Sequence, residues 1–489
     1  MKIDAFLDKK EARQLQLVRQ TILAGGRLAD VELMQRLQIA KASLEKDLQD
    51  LLHFLPTFHG AITLHYDGQW LTIDLAADFS LLNLYRAFLK NAIKFQIVDH
   101  LYQYKEFTIA QLTTKLALSE SSLFRKIKEL NGALQDFQIQ IKNGQLQGEE
   151  LQIRYFYFQL YWQLVPYEHH QAVTMTLQNQ RTVAALEKAL AFAFSETSRL
   201  QISLWLSISK RRLSVSNKRY QQLTAKMSFF QEDPLYLQVR QFVLRFLSRY
   251  PLEFDEGEAM LHFVFLITRS ILSQAAFSDY VLLRKRRALT SLADTIILET
   301  IVLHYQPQKF TPSLEKQIVY YLAHIHSQVY FLAGQLEFYE QSAWIQSHET
   351  TTHQTALTFA RSLLQKSCSY LQVNLNDENS LYESAVVYYA QVFALIEEEL
   401  AGVVDIALDF KLAPLEAALV SQLLFSALKG VNRIQIERYQ PQKVYNLIIT
   451  DHQHSKNYQG RPYQYVLSEF ACAYDLQQLQ KLIQKLLSS

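Results

Sequence analysis

Apolar residues recur in one register at two places in the first third of the chain. Leu33, Leu37, Ile39, Leu44, Leu48 and Leu51 return as Leu112, Leu116, Leu118, Leu123, Ile127 and Leu130, each 79 positions on. Upstream, Val18 and Ile22 return as Ile97 and Leu101 at the same offset. The spacing predicts a helix of about two turns, a tight break, and a second helix with its own apolar stripe. In the first copy the helices fall at 14–23, 31–37 and 41–51, the first ended by Gly25-Gly26. Alternating residues at 62–66 and 69–73 flank Asp67-Gly68, a hairpin signal that calls for a type I′ turn with positive φ at both central residues. The second copy predicts one long helix over 81–104, helices over 109–116 and 119–131, and a hairpin of 138–142 and 145–147 around Asn143-Gly144. Three helices followed by a hairpin is the order of a winged helix-turn-helix.

Beyond these copies the pattern is helical from 151 to 395, with breaks near Pro166, Pro234, Pro251, Pro307, Pro312 and 374–379. Length suggests two bundles of roughly 110 residues meeting near 285–292. The last hundred residues change period. An apolar helix at 415–428 precedes strands at 433–438, 444–450 and 463–468, and an amphipathic helix at 476–487 follows. Helix alternating with strand predicts a small α/β domain with a parallel sheet. The expected architecture is mainly α and multidomain. Winged helix-turn-helix I spans 1–76, winged helix-turn-helix II 77–160, two helical bundles 161–288 and 289–395, and the α/β domain 396–489.

Composition narrows the class. Of 489 residues, 49% are hydrophobic and 20% charged, with 12 Gly and 9 Pro. Few breakers fit a helical protein. Two cysteines, Cys368 and Cys472, build no disulfide framework, and no Cys/His group has zinc spacing, so no metal and no cofactor is expected. No run is long and apolar enough for a membrane span, and no signal core opens the sequence, so a cytoplasmic protein without a membrane partner is expected. The net charge is +2, and acids balance bases over 1–150. Nucleic-acid binding would therefore need a local basic face rather than a basic chain.

Helix-turn-helix units commonly read DNA, and the third helix of each copy carries suitable groups. In the first copy Lys41, Ser43, Lys46 and Gln49 are expected outward, although Ala40 cannot cap the helix and Glu45 and Asp47 add negative charge. The second copy has Ser119 as its cap and is expected to expose Ser121, Ser122, Arg125, Lys126 and Lys128. Arginine can bond a guanine edge at two points, and lysine can neutralise phosphate. Each face also reads as an ordinary solvated helix surface. The runs Lys210-Arg211-Arg212 and Arg284-Lys285-Arg286-Arg287 read as phosphate contacts or as charges favoured at helix C-termini. Among 14 histidines, His262 lies in an apolar helix, and His324 and His326 share one helical segment. A ring nitrogen can accept a phosphoryl group, whereas most histidines on apolar helices are packing residues. No catalytic triad order, paired carboxylate site or Gly-rich phosphate loop stands out, so an enzyme is not expected.

After the second copy comes Gly148-Glu149-Glu150-Leu151-Gln152-Ile153-Arg154, then the aromatic run Tyr155-Phe156-Tyr157-Phe158. With the two helix-turn-helix cores, around 32–48 and 111–128, this Gly-Glu-x-x-x-Ile-Arg join resembles the Mga/AtxA family of transcriptional regulators of Gram-positive bacteria. The resemblance implies two DNA-binding domains, two phosphotransferase-system regulation domains and a C-terminal domain similar to the sugar-transporter IIB component. It also implies a dimer or higher oligomer, promoter DNA as the double-stranded partner, virulence or metabolic genes as targets, and histidine phosphorylation as the signal. A phosphocarrier protein of the sugar phosphotransferase system is then a candidate partner.

The family's patterns match in part. In the first regulation domain Trp205 holds a histidine place ahead of Arg212, and Val264 holds another, two positions from His262. His324-Ile325 fits the second domain best, so His324 and His262 are the phosphoacceptor candidates. IIB enzymes carry phosphate on a cysteine after their first strand. The corresponding stretch, read as Arg438-Tyr439-Gln440-Pro441, has none, so this domain is expected to serve oligomerisation or sensing. A competing class is a protein-interaction scaffold that uses winged helices for docking. A basic stripe over the third helices and hairpins would favour DNA; an apolar patch there would favour docking.

Overall fold

The 79-residue offset persists in the backbone. A computed structural model describes residues 1–164, 176–247, 255–284, 288–306, 308–337, 351–375, 377–400, 403–429, 433–453, 458–460 and 462–487. The first module is built from α1 (Lys9–Leu23), β1 (Arg27–Ala29), α2 (Asp30–Leu37), α3 (Lys41–Phe54), β2 (Ile62–Tyr66) and β3 (Trp70–Leu75). The second comprises α4 (Leu81–Asn91), α5 (Ile93–Tyr104), α6 (Ile109–Leu116), α7 (Glu120–Leu134), β4 (Gln140–Lys142) and β5 (Gln145–Gln147). Between α2 and α3, Gln38 takes a left-handed conformation, and its neighbour Ile39 donates to the carbonyl of Met34. Between α6 and α7, Ala117 does the same, and Leu118 donates to Thr113. Both residues sit at φ 52, which costs a non-glycine residue roughly 1–2 kcal/mol. Packing of the two flanking helices holds the turn. Leu33, Leu44, Leu48 and Leu51 fill one core, and Leu112, Leu123 and Leu130 fill the other.

Four local readings need correction. The helix expected over 81–104 is two helices, because Ala92 is extended at ψ 123. Leu84, Tyr85, Phe88 and Leu89 make the buried stripe of α4, and Ile97, Val98 and Leu101 that of α5; the two stripes are out of phase, so one straight helix could not bury both. The strand β1 was not expected; three residues with one buried side chain, Leu28, carry no readable period. It pairs antiparallel with β3, which also pairs with β2, giving the order β1-β3-β2. The Asp67-Gly68 turn is not type I′, since Gly68 alone has positive φ there and the loop includes Gln69. Its Asp67 carboxylate instead accepts the backbone N–H groups of Gln69 at 2.9 Å and Trp70 at 2.7 Å. The expected geometry does occur in the second hairpin, where Asn143 and Gly144 both have positive φ. Gly144 is required there, because a Cβ would meet the Phe107 carbonyl oxygen at 2.0 Å.

The fourth correction concerns the C-terminal part. By contacts the chain divides into one unit of Met1–Gln306 with Thr311–Gln391, and another of Pro307–Phe310 with Val392–Ser489. In the first unit, α8 (Glu150–Leu164) is buried nearly all round, with Tyr155, Phe156, Tyr157 and Phe158 at its centre. Around it run α9 (Leu177–Leu190), α10 (Glu196–Leu213), α11 (Gln221–Met227), α12 (Pro234–Leu247), α13 (Glu256–Thr268) and α14 (Gln274–Leu283). Then follow α15 (Leu289–His304), α16 (Pro312–Phe331), α17 (Thr351–Leu371) and α18 (Ser380–Leu400), the last crossing the division. Pro234 and Pro312 open their helices, where a missing N–H costs nothing. Pro166, Pro251 and Pro307 lie outside the described residues.

The second unit holds β6 (Val404–Asp409), α19 (Pro414–Leu428), β7 (Ile434–Arg438), β8 (Leu447–Thr450), β9 (Tyr463–Val466) and α20 (Ala473–Leu487). The sheet is four-stranded and parallel, in the order β7-β6-β8-β9. Its central strand β6 was not expected. Val404, Ile406, Ala407 and Leu408 are buried, and six residues directly after a helix are too few for their alternation to stand out from more helix. The loop after the first strand is therefore Phe410-Lys411-Leu412-Ala413, not the stretch after β7, and it too lacks cysteine. Among the described residues, no helix is long and apolar enough to cross a membrane.

Candidate nucleic-acid interface

The third helix of the second module is the better organised of the two. Ser119 caps α7 by accepting the Ser122 N–H at 3.3 Å. Ser121, Arg125 and Lys128 are exposed and Ser122 is half-buried, so the outward face is polar and basic. Phe124 lies on that face at 54% exposure, an aromatic missed in the sequence although its spacing places it there. Lys126 is not on this face. It is 9% exposed and pairs with Asp8, the N-cap residue of α1. Lying three residues after Leu123 and four before Leu130, it shares the buried stripe.

The first module shows the same geometry with the charges exchanged. Lys41, Lys46 and Gln49 of α3 are exposed, and Ser43 is half-buried. Ala40 supplies no side-chain cap. Asp47, expected outward, is fully buried against Arg13, whose Nη2 donates to Oδ1 at 2.9 Å. Asp47 and Lys126 are 79 residues apart, so one helix position holds a buried charge in both modules. At the edge of the first sheet, the Arg27 guanidinium lies 4.7 Å from the ring centre of Trp70, a pair the sequence reading did not single out.

Comparison with known proteins bears on this module directly. Residues 77–161 match the model of the Mga helix-turn-helix domain. A curated relative, the capsule synthesis positive regulator AcpB of Bacillus anthracis, is 22% identical over 240 residues, covering 48% of this chain and 48% of that protein. Residues 77–161 therefore form a segment similar to the Mga helix-turn-helix domain, and the chain spans about half the length of the curated relative it matches. The matched Mga domain contains α4 to α7, the second hairpin and most of α8. Its last residues are thus buried in the helical part of the chain rather than lying in a linker.

That join is ionic. Arg154 of α8 bonds both carboxylate oxygens of Glu258 at 2.7 and 2.6 Å, and its Nε donates to Glu150 at 2.8 Å. Arg212 bonds both oxygens of Glu150 at 2.7 and 2.8 Å. Lys218 and Tyr220 donate to Glu258 at 3.0 and 2.9 Å. Burial opposes ionisation of Glu258, but the charge and hydrogen bonds of Arg154 outweigh it and hold the carboxyl well below its ordinary 4.5. The Gly-Glu-x-x-x-Ile-Arg motif is therefore a structural clamp between the Mga domain and α10 and α13. The run Lys210-Arg211-Arg212 is absorbed in the same way. Lys210 donates to Asn179 at 2.6 Å, Arg211 lies over the Tyr102 ring, and Arg212 belongs to the clamp. Arg284 bonds Asp294 at 2.7 Å, and residues 285–287 lie outside the described residues.

Of the phosphoacceptor candidates, His262 is buried with Nδ1 2.9 Å from the Glu258 carbonyl oxygen, and no hydrogen-bond partner for its Nε2 is found among the described residues. His324 is half-buried, with Nε2 near Ser270 Oγ at 3.0 Å and Gln328 Nε2 at 2.9 Å. His326 holds the more elaborate site. It is fully buried, with Nδ1 2.5 Å from Asp294 and Nε2 2.7 Å from the Tyr389 hydroxyl.

Burial lowers the His262 pKa to about 4, and burial with the Arg269 charge lowers that of His324 to about 3, from 6.5 in both cases. The unfolded chain takes up these protons first. The stability from keeping the two rings neutral is complete above 6.5 and is lost as pH falls toward the folded values. Moving from pH 7.5 to 5.5 should cost roughly 1–1.5 kcal/mol per histidine, read from urea midpoints. The variant His262→Leu/His324→Leu should show a shallower dependence; an unchanged slope would assign the protons elsewhere.

Proposed function

We propose that this chain is a transcription regulator that binds double-stranded promoter DNA through α7, assisted by α3. The observation that carries the reading is the capped, outward face of Ser121, Phe124, Arg125 and Lys128, set inside a Mga helix-turn-helix domain and followed by a tight hairpin. Both modules read as winged helices, since each places a hairpin directly after its third helix. The matched relative is named as a positive regulator of capsule synthesis, which supports control of gene expression in the bacterial cytoplasm. No broad apolar patch replaces the basic face of α7, so DNA is favoured over protein docking.

The helical middle would tune affinity or assembly. Phosphorylation by a phosphocarrier protein fits His324 better than His262, because His324 keeps partial exposure whereas buried His262 would require α13 to open. The C-terminal unit reads as IIB-like from its parallel 2-1-3-4 strand order, and as an oligomerisation module from Leu415, Leu419, Leu423 and Phe425 exposed along α19. A homodimer or higher oligomer follows from that reading.

Fluorescence anisotropy with duplex DNA at increasing salt tests the proposal. Each phosphate contact contributes a slope of about −0.9 to log K against log salt, so affinity should fall steeply. A folded chain that binds no duplex at low salt would overturn the proposal in favour of a docking scaffold.

A further inference from the structure

A polar cavity of about 630 Å³ opens where the Mga domain meets the helical part. Its walls are the turn after α5, the strand β5, the start of α8, and the loop joining α10 to α11. Its lining carries four cationic side chains, Lys105, Arg212, Lys218 and Arg219, against two acids, Glu106 and Glu150. Arg212 and Glu150 satisfy each other, and Lys218 is bonded to Glu258. Glu106 is held by the Gln145 amide at 2.8 Å. Lys105 and Arg219 remain, and neither pairs with a carboxylate among the described residues. Lys105 donates to the hydroxyl of Ser214, another lining residue, at 2.6 Å.

The lining also supplies neutral donors and acceptors, Ser216 and Asn217, and an aromatic ring, Tyr104, which is 60% exposed. Cations without a carboxylate partner suit phosphate, hydroxyl and amide groups suit a sugar, and the exposed part of the Tyr104 ring, which packs on His100 at 4.6 Å and lies 5.5 Å from the Lys115 ammonium, suits a base. The volume lies within the range of small-ligand sites, well above what a lone inorganic anion needs. We propose that this cavity binds a mononucleotide, its phosphate on Lys105 and Arg219 and its base against Tyr104. The ligand would touch the second hairpin on one side and the 214–219 loop on the other, so its binding would bias how the hairpin is held. That regulatory consequence rests on the DNA-binding reading, whereas the site itself does not.

Isothermal titration of DNA-free protein with a panel of 5′-mononucleotides, the matching nucleosides and inorganic phosphate tests the site. At least one mononucleotide should bind, and more tightly than its nucleoside or phosphate alone. Lys105→Ala/Arg219→Ala should weaken it at least about tenfold, and Tyr104→Ala should weaken it too, with unchanged melting curves for both. Arg125→Ala/Lys128→Ala should bind the mononucleotide as wild type does, which separates this site from DNA binding. No mononucleotide binding, equal nucleoside binding, or undiminished binding by the Lys105/Arg219 variant would overturn the assignment.

Discussion

Replacing Arg125 and Lys128 together by alanine should lower affinity for a preferred duplex by roughly a hundredfold and flatten its salt dependence, leaving the fold intact. Both side chains project from the exposed face of α7, so their removal exposes no core. A bidentate arginine contact to a base contributes about 1–3 kcal/mol of discrimination, and loss of one phosphate contact reduces the salt slope by about one. Lys126→Ala should behave differently. Its ammonium is inside and paired with Asp8, so the variant should lose stability first and DNA affinity only in proportion. Anisotropy titrations at two salt concentrations, with urea melts of each variant, separate the two outcomes. Undiminished DNA affinity in Arg125→Ala/Lys128→Ala would remove α7 from the interface.

Arg154→Ala should be the most damaging single change, costing about 3–5 kcal/mol, because it strands Glu258 and part of Glu150 as buried charges. Arg154→Met with Glu258→Met should recover much of the loss, since a well-packed apolar pair removes both desolvated charges together. The same clamp makes the protein acid-labile. Glu258 in the unfolded chain takes up its proton near 4.5, earlier than in the folded chain. Its contribution is therefore complete above that value and is lost as pH falls below it. Urea unfolding of the single and double variants at pH 7.5 and 4 reads both effects. A wild-type midpoint for Arg154→Ala would contradict the clamp.

What the sequence revealed depended on range. The twin modules were readable because Leu33 of α2 and Leu44, Leu48 and Leu51 of α3, the last three at i+4 and i+3 spacings, fill one core, and Leu112, Leu123 and Leu130 repeat it. The break at Ala92 was hidden because each flanking segment is helical by itself, and only the phase of the buried stripe shows the change of direction. The inward turn of Lys126 and Asp47 was knowable from period alone, yet charge argued for exposure; the deciding partner of Lys126, Asp8, lies 118 residues away. The site around His326 draws on Asp294, Ser367 and Tyr389, from three other helices, and no local spacing brings these together. The strand β6 was masked by its shortness and its place directly after a helix, since Val404, Ile406 and Leu408 alternate over only six residues.

The Gly-Glu-x-x-x-Ile-Arg motif carried a meaning beyond family likeness. Arg154 and Glu150 bind groups from α10 and α13, so the second N-terminal module and the helical part share one buried network. His262 sits one turn after Glu258 on α13, with Nδ1 2.9 Å from the Glu258 backbone carbonyl oxygen, so one helix carries both this histidine and the carboxylate that Arg154 holds. This gives the helical part a physical route to the Mga domain without a long linker.

Selection of bound sequences from a random duplex DNA pool, run in parallel with wild type and Arg125→Ala/Lys128→Ala, tests the central claim most directly. The outward face of α7 predicts that wild type enriches a defined base pattern and that the variant loses it while remaining folded. A pool that stays random with wild type, or the same pattern recovered with the variant, would contradict the claim that this helix reads DNA.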